Sequence, residues 1–184
     1  MSRMHPKGKI AEREVAKLIG AWWSSLEPEA RFVRTPQSGG WHGAEVRTEF
    51  RASGDLMTTA KRFPFTVEVK RREAWSHEVF LAGKASPVWD WWRQAQGQAR
   101  ELSAEPALFF RQNRAPVHLF KGERAPVWNV MLREEYVDVI YPPAVGVTRW
   151  SHEGPILACN FGEHWPALVS SETLFNIPPF VFAL

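Results

Sequence analysis

The run Phe65-Thr66-Val67-Glu68-Val69-Lys70 alternates apolar and polar side chains with a period of two, the pattern of a β-strand with two unlike faces. Such a strand carries Phe65, Val67 and Val69 on one side and Thr66, Glu68 and Lys70 on the other. A carboxylate and an ammonium then share one face, two residues apart. Asp55, in Ser53-Gly54-Asp55-Leu56, opens what reads as the preceding strand, near Gly54–Thr58. Two carboxylates and a lysine converging on a sheet face suit divalent-metal hydrolysis of a phosphodiester. The oxygens hold Mg²⁺ or Mn²⁺, and the lysine positions the nucleophile or steadies the transition state. An isolated E-x-K is more often the mark of a solvated strand face bearing an ion pair. Asp55 and the elements around it favour the first reading.

The composition is that of a globular chain with enough residues for one sizeable domain and a core: 184 residues, 45% hydrophobic and 23% charged. No segment approaches the ~18 uninterrupted apolar residues of a membrane span, and Met1 to Gly8 is polar, so a cytoplasmic protein is expected. Cys159 is the sole cysteine, which excludes a disulfide framework and a thiolate zinc site; the histidines lack H-x-x-x-H or H-E-x-x-H spacing. Charge is uneven. Residues 1–124 hold 21 Lys and Arg against 14 Asp and Glu, whereas residues 125–184 hold 2 against 6. The basic part suits a polyanion such as nucleic acid, and the acidic part belongs away from it.

A helix is expected from about Lys9 to Leu26, where Ala11, Val15, Leu18, Ile19, Trp22, Trp23 and Leu26 recur at helical period and Pro28 follows. Glu12 falls at the edge of this stripe and Arg13 points away from it. Arg31–Thr35 reads as a short strand running into Pro36-Gln37-Ser38-Gly39-Gly40-Trp41, a small-residue loop whose amides can approach phosphate. Residues 42–52 read as an irregular, charged loop. A second helix is expected over Val88–Ser103, then strands at Ala107–Arg111 and Val117–Lys121, and strand-like runs at Val127–Leu132 and Val137–Tyr141. Gln94 and Gln98 share a face of that helix. The last sixty residues hold seven prolines and end in Phe180-Val181-Phe182-Ala183-Leu184.

Taken together, these elements carry a resemblance. Lys7-Gly8-Lys9-Ile10-Ala11-Glu12-Arg13-Glu14 is similar to the K-G-x-x-A-E-R-E opening of the archaeal-type Holliday junction resolvases, members of the PD-(D/E)xK nuclease superfamily. Arg34-Thr35-Pro36-Gln37-Ser38-Gly39-Gly40 resembles their serine-glycine loop, and Asp55 with Glu68-Val69-Lys70 matches the D…E-x-K core. The resemblance covers roughly residues 7–121. It departs at Gly54, where the superfamily name has proline, in the long stretch Gly43–Ala52, and in the additional residues after 121. Chains with such appendages are common in bacteriophages, which suggests a viral origin.

The resemblance implies an α/β fold with a restriction-endonuclease-like αβββαβ core: a central mixed sheet flanked by helices, plus a β-rich C-terminal extension. Residues 1–124 would form the nuclease core. Residues 125–184 would form the extension, packed on the core or at a dimer interface. It implies an Mg²⁺-dependent endonuclease (Mn²⁺ substituting) acting on four-way DNA junctions. Asp55, Glu68 and the Val69 carbonyl would hold the metal, with Glu12 joining through water or as an outer ligand. Lys70 would orient the attacking water, Arg13 and Ser38 would contact the scissile-strand backbone, and Gly39 of the same loop would be DNA-binding. Charge and position add Lys9, Arg34, Arg71 and Arg72 as phosphate contacts. The two-fold symmetry of a junction predicts a homodimer. Two alternatives stay open: another PD-(D/E)xK endonuclease of restriction-like, nicking or recombination-associated type, and a non-catalytic DNA-binding module on the same fold.

Overall fold

The structure, a computed structural model, describes residues 6–36, 49–73, 75–76, 79–80, 84–112, 127–133, 150–151, 154–155, 157–158 and 166–183. Helix α1 spans Pro6–Trp23. It starts and stops three residues before the expected helix, because Leu26 and Glu27 fold back to the Trp23 carbonyl and close the chain into a turn. The Glu27 carboxylate then accepts the N–H groups of Lys61 (2.8 Å) and Arg62 (3.0 Å), which docks the end of α1 onto the turn before the E-x-K strand.

Three short strands follow: β1 (Phe32–Arg34), β2 (Arg51–Ser53) and β3 (Leu56–Thr58). They form an antiparallel sheet in the order β1-β3-β2, with Ser53 opposite Leu56. The stretch 42–52 therefore does not stay irregular to its end: Arg51–Ser53 pairs with β3. The expected strand Gly54–Thr58 begins two residues late because Gly54 and Asp55 form the two-residue hairpin turn between β2 and β3. Gly54 has φ +75°, the positive φ that a twist-compatible hairpin turn requires at its first central position. A Cβ there would lie 2.4 Å from the carbonyl oxygen of Val67, so only glycine fits.

The E-x-K strand is β4 (Phe65–Arg71). Helix α2 (Pro87–Glu101) carries Pro87 in its first turn, and the Ser86 side chain caps it by accepting from the Val88 N–H. It returns the chain to β5 (Glu105–Arg111), which pairs with β4 in parallel. Strand β6 (Asn129–Leu132) adds to β5 antiparallel and lies inside the expected run Val127–Leu132. Short strands β7 (Trp150–Ser151) and β8 (Gly154–Pro155) pair with each other. Strands β9 (Leu157–Ala158) and β10 (Ala167–Ser170) complete a five-stranded mixed sheet, β4-β5-β6-β10-β9. Helix α3 (Ser171–Asn176) and a 3₁₀ turn (Pro179–Val181) follow. This is the α/β, restriction-endonuclease-like architecture the resemblance implies. The expected strands Val117–Lys121 and Val137–Tyr141 lie outside the described residues.

Each face of the mixed sheet has its own core. Phe65, Val67, Val69, Ala107 and Phe109 pack with Val15, Ile19, Trp22 and Trp23 of α1 and with Phe182 near the C-terminus. The opposite face, with Leu108 and Phe110, packs under Trp89, Trp92 and Ala95 of α2 and against Trp75 and Phe80. Among the described residues, Trp22, Trp23, Trp75, Trp89, Trp92 and Trp128 are buried in these layers, which gives six of the chain's ten tryptophans a packing role. The apolar tail divides in the same way: Phe182 rests edge-on against Trp22 and Phe65, while Phe180 is exposed.

Candidate active site

Strand β4 is an edge strand of the five-stranded sheet, and the tip of the β2–β3 hairpin fits against its free edge. The backbone makes this fit. The Asp55 N–H donates to the Val67 carbonyl (2.8 Å), and the Val69 N–H donates to Oδ2 of Asp55 (2.9 Å). Thr35, just past β1, brackets the turn from the other side. Its N–H donates to the Asp55 carbonyl (2.9 Å) and its hydroxyl to the Gly54 carbonyl (3.0 Å). The Val67 carbonyl faces the hairpin, and strand alternation directs the Val69 carbonyl the same way, toward Asp55.

Glu68 and Lys70 stand on the α2 side of β4, and Lys70 is ion-paired to Oε1 of Glu68. This face is not solvated. Glu68 is 1% exposed and Asp55 8%, which rules out a solvent-facing E-x-K ion pair. Oε2 of Glu68 is buried without a hydrogen-bond partner among the described residues. Burial raises the Asp55 carboxyl to about 7; the neighbouring Glu68 carboxylate reinforces the shift, the Val69 N–H opposes it, and Glu12 adds to it. Glu12, buried on α1, accepts from Nε of Arg34.

These residues fit a hard divalent cation. Buried carboxylates that repel one another, one with an orphaned oxygen, form a donor set short of positive charge. Among the described residues no three His, Cys, Asp or Glu side chains close into a cage.

The other residues singled out in the sequence are placed as follows. Arg13 and Arg72 are exposed, and Lys9, Arg34 and Arg71 are partly so. Ser38 and Gly39 lie outside the described residues. Gln94 is exposed; Gln98 is half-buried on α2, its Oε1 without a hydrogen-bond partner among the described residues. The sequence reading missed Thr35 and the role of Gly54. Gly-Asp between two short β-prone runs is the signal of a two-residue hairpin and identifies the turn. It also missed an ionic cluster beside the site. Arg111, in register with Arg71, pairs with Glu14 (2.7 Å), and its guanidinium lies 4.3 Å from the centre of the Trp128 ring.

An E-x-K strand at the edge of a mixed sheet, a hairpin-borne aspartate and a helical glutamate define the PD-(D/E)xK class of nucleases. Residues 3–141 match the model of the family described as "Phage putative PDDEXK endonuclease", and the chain belongs to that family. No curated protein and no solved structure matches the chain. No helix among the described residues is long and apolar enough to cross a membrane.

Proposed function

We propose that the protein is a divalent-metal-dependent endodeoxyribonuclease that resolves four-way DNA junctions, with Mg²⁺ as its ion and Mn²⁺ as a substitute. The observation that carries the chemistry is Glu68: a fully buried carboxylate with one oxygen on Lys70 and the other orphaned, beside an aspartate raised to about 7. Lys70 offsets only part of this cost, and the second oxygen remains costly to keep buried unless a donor or a metal ion meets it. It therefore favours a catalytic site over a non-catalytic DNA-binding module. When bound, the cation activates water and offsets charge on the phosphate.

Asp55, Glu68 and the Val69 carbonyl hold the ion, and Glu12 joins from α1. Lys70, tethered by Glu68 and partly exposed, orients the attacking water. Lys9, Arg13, Arg34, Ser38, Gly39, Arg71 and Arg72 contact the DNA backbone and fix register without reading sequence. Residues 1–124 carry this machinery. Residues 125–184 extend the sheet away from the DNA, on the core or at a dimer interface, in keeping with their acidic balance. Junction selectivity is supported by the K-G-x-x-A-E-R-E opening and the serine-glycine loop. A two-fold homodimer in the cytoplasm would present two sites for the paired nicks a junction requires.

Cleavage with Mg²⁺ of a four-way junction, a fork, a linear duplex and single strands tests this reading. Paired symmetric nicks in the junction, at rates well above those on the duplex, are expected. Equal cutting of duplex and junction would leave the nuclease chemistry standing and remove the resolvase assignment.

A further inference from the structure

Each carboxylate of the site has one oxygen already engaged, and the three partners differ in kind. Oδ2 of Asp55 is held by the Val69 backbone N–H at 2.9 Å, a donor that cannot leave while the sheet is intact. Oε1 of Glu68 is held by Lys70, two residues along the same strand face. Oε2 of Glu12 is held by Nε of Arg34, which arrives from a separate element, the end of β1. The Arg34 side chain is 14% exposed and its Nη1 lies 3.4 Å from the Pro36 carbonyl, so part of the guanidinium fork stays near the surface.

We propose that Arg34 is a positioning residue that withholds Glu12 from the cation until DNA arrives, by exchanging the carboxylate for a backbone phosphate. The inference rests on the nuclease reading above. Guanidinium binds phosphate through the same planar fork that binds carboxylate, so the exchange replaces one charge-assisted pair with another. What changes is Glu12. While paired to Arg34 its charge is partly balanced and one oxygen is directed toward β1, though its field still reaches Asp55; once released, it is a third carboxylate free to turn toward the cation. DNA then strengthens cation binding, and by thermodynamic reciprocity the cation strengthens DNA binding by the same factor.

Direct contact between a cation and a phosphate would also couple the two ligands, so the test isolates Glu12. Ca²⁺ is titrated calorimetrically into full-length protein, alone and saturated with a four-way junction, Ca²⁺ being chosen because its looser coordination is expected to allow binding to oxygen donors without turnover. Glu12→Gln is expected to change Ca²⁺ affinity less than about threefold without DNA and to weaken it about tenfold or more in the complex, within the usual range of coupling between sites. Arg34→Gln should tighten DNA-free Ca²⁺ binding about tenfold, and Glu12→Gln should cancel that gain. Equal loss from Glu12→Gln with and without DNA would overturn the exchange. So would an Arg34→Gln gain that persists in the double variant, since simple removal of a positive charge would then explain it. If Arg34→Gln does not fold, the Glu12→Gln comparison decides alone. Absence of Ca²⁺ binding in every protein and complex would instead overturn the nuclease reading, and this inference with it.

Discussion

The N–H of Val69 donates to Oδ2 of Asp55 across 2.9 Å, joining the tip of a hairpin to the free edge of a different sheet. The contact exists because Gly54 lets the turn come close enough for Asp55 to reach β4. Restoring the superfamily's proline, Gly54→Pro, is therefore expected to damage the site. Proline fixes φ near −65° where the chain has +75°, and a side chain would collide with the Val67 carbonyl. Gly54→Pro and Gly54→Ala should each lose at least roughly 1–3 kcal/mol in urea unfolding, together with most cleavage. Wild-type stability in Gly54→Pro would contradict this hairpin geometry.

Asp55 also sets a pH dependence. Its carboxyl titrates at about 7 in the folded chain against an ordinary 3.8. Between those values the folded state binds the proton more tightly than the unfolded state. This contribution to stability is complete below about pH 4 and is lost as pH rises through about 7. Without divalent ions, melting temperature should fall across that window more steeply in the wild type than in Asp55→Asn. Near pH 8, Mg²⁺ should restore stability to the wild type, the ion taking the place of the proton. Identical pH profiles for the two proteins would show that Asp55 is not held in this environment.

Deleting residues 172–184 should unfold the protein or lower its melting temperature by many degrees. The indole N–H of Trp22 donates to the Ile177 carbonyl (2.7 Å), and Leu174, Ile177 and Phe182 are buried in the α1-side core. Removing several such side chains costs roughly 2–5 kcal/mol each. Calorimetry checks stability, and light scattering reports the oligomeric state in parallel. A truncated protein that melts like the full chain would contradict the packing of this tail.

The readable parts of the fold were those governed by local periodicity. α1 and α2 show it as apolar stripes and β4 as strict alternation, and each stands within three residues of its expected bounds. Strand β2 was hidden because Arg51 and Ala52 are exposed and Ser53 is polar, so no apolar alternation marks it. β10 is buried throughout and short, a pattern that does not separate strand from core helix in sequence. At the site, Asp55, Glu68 and Lys70 were legible because their spacing is local or matches a motif. The Arg34–Glu12 pair and the Glu14–Arg111–Trp128 cluster were not, because they join residues from 22 to 114 positions apart through tertiary packing.

Ion preference follows from the oxygen donors. Mg²⁺ and Mn²⁺ should support cleavage, while Ca²⁺ should permit DNA binding without turnover, its looser coordination positioning water poorly. Cleavage measured after chelation and re-addition of each ion checks this. A marked preference for Zn²⁺, or activity in excess chelator, would contradict an all-oxygen site.

The most direct measurement compares junction cleavage and junction binding by wild type, Asp55→Asn and Glu68→Gln in Mg²⁺. Both variants should lose cleavage by several orders of magnitude yet bind the junction as tightly as wild type or slightly tighter, because phosphate contacts carry affinity and a repelling carboxylate is gone. Substantial Mg²⁺-dependent cleavage by both variants would show that the chemistry lies elsewhere in the chain.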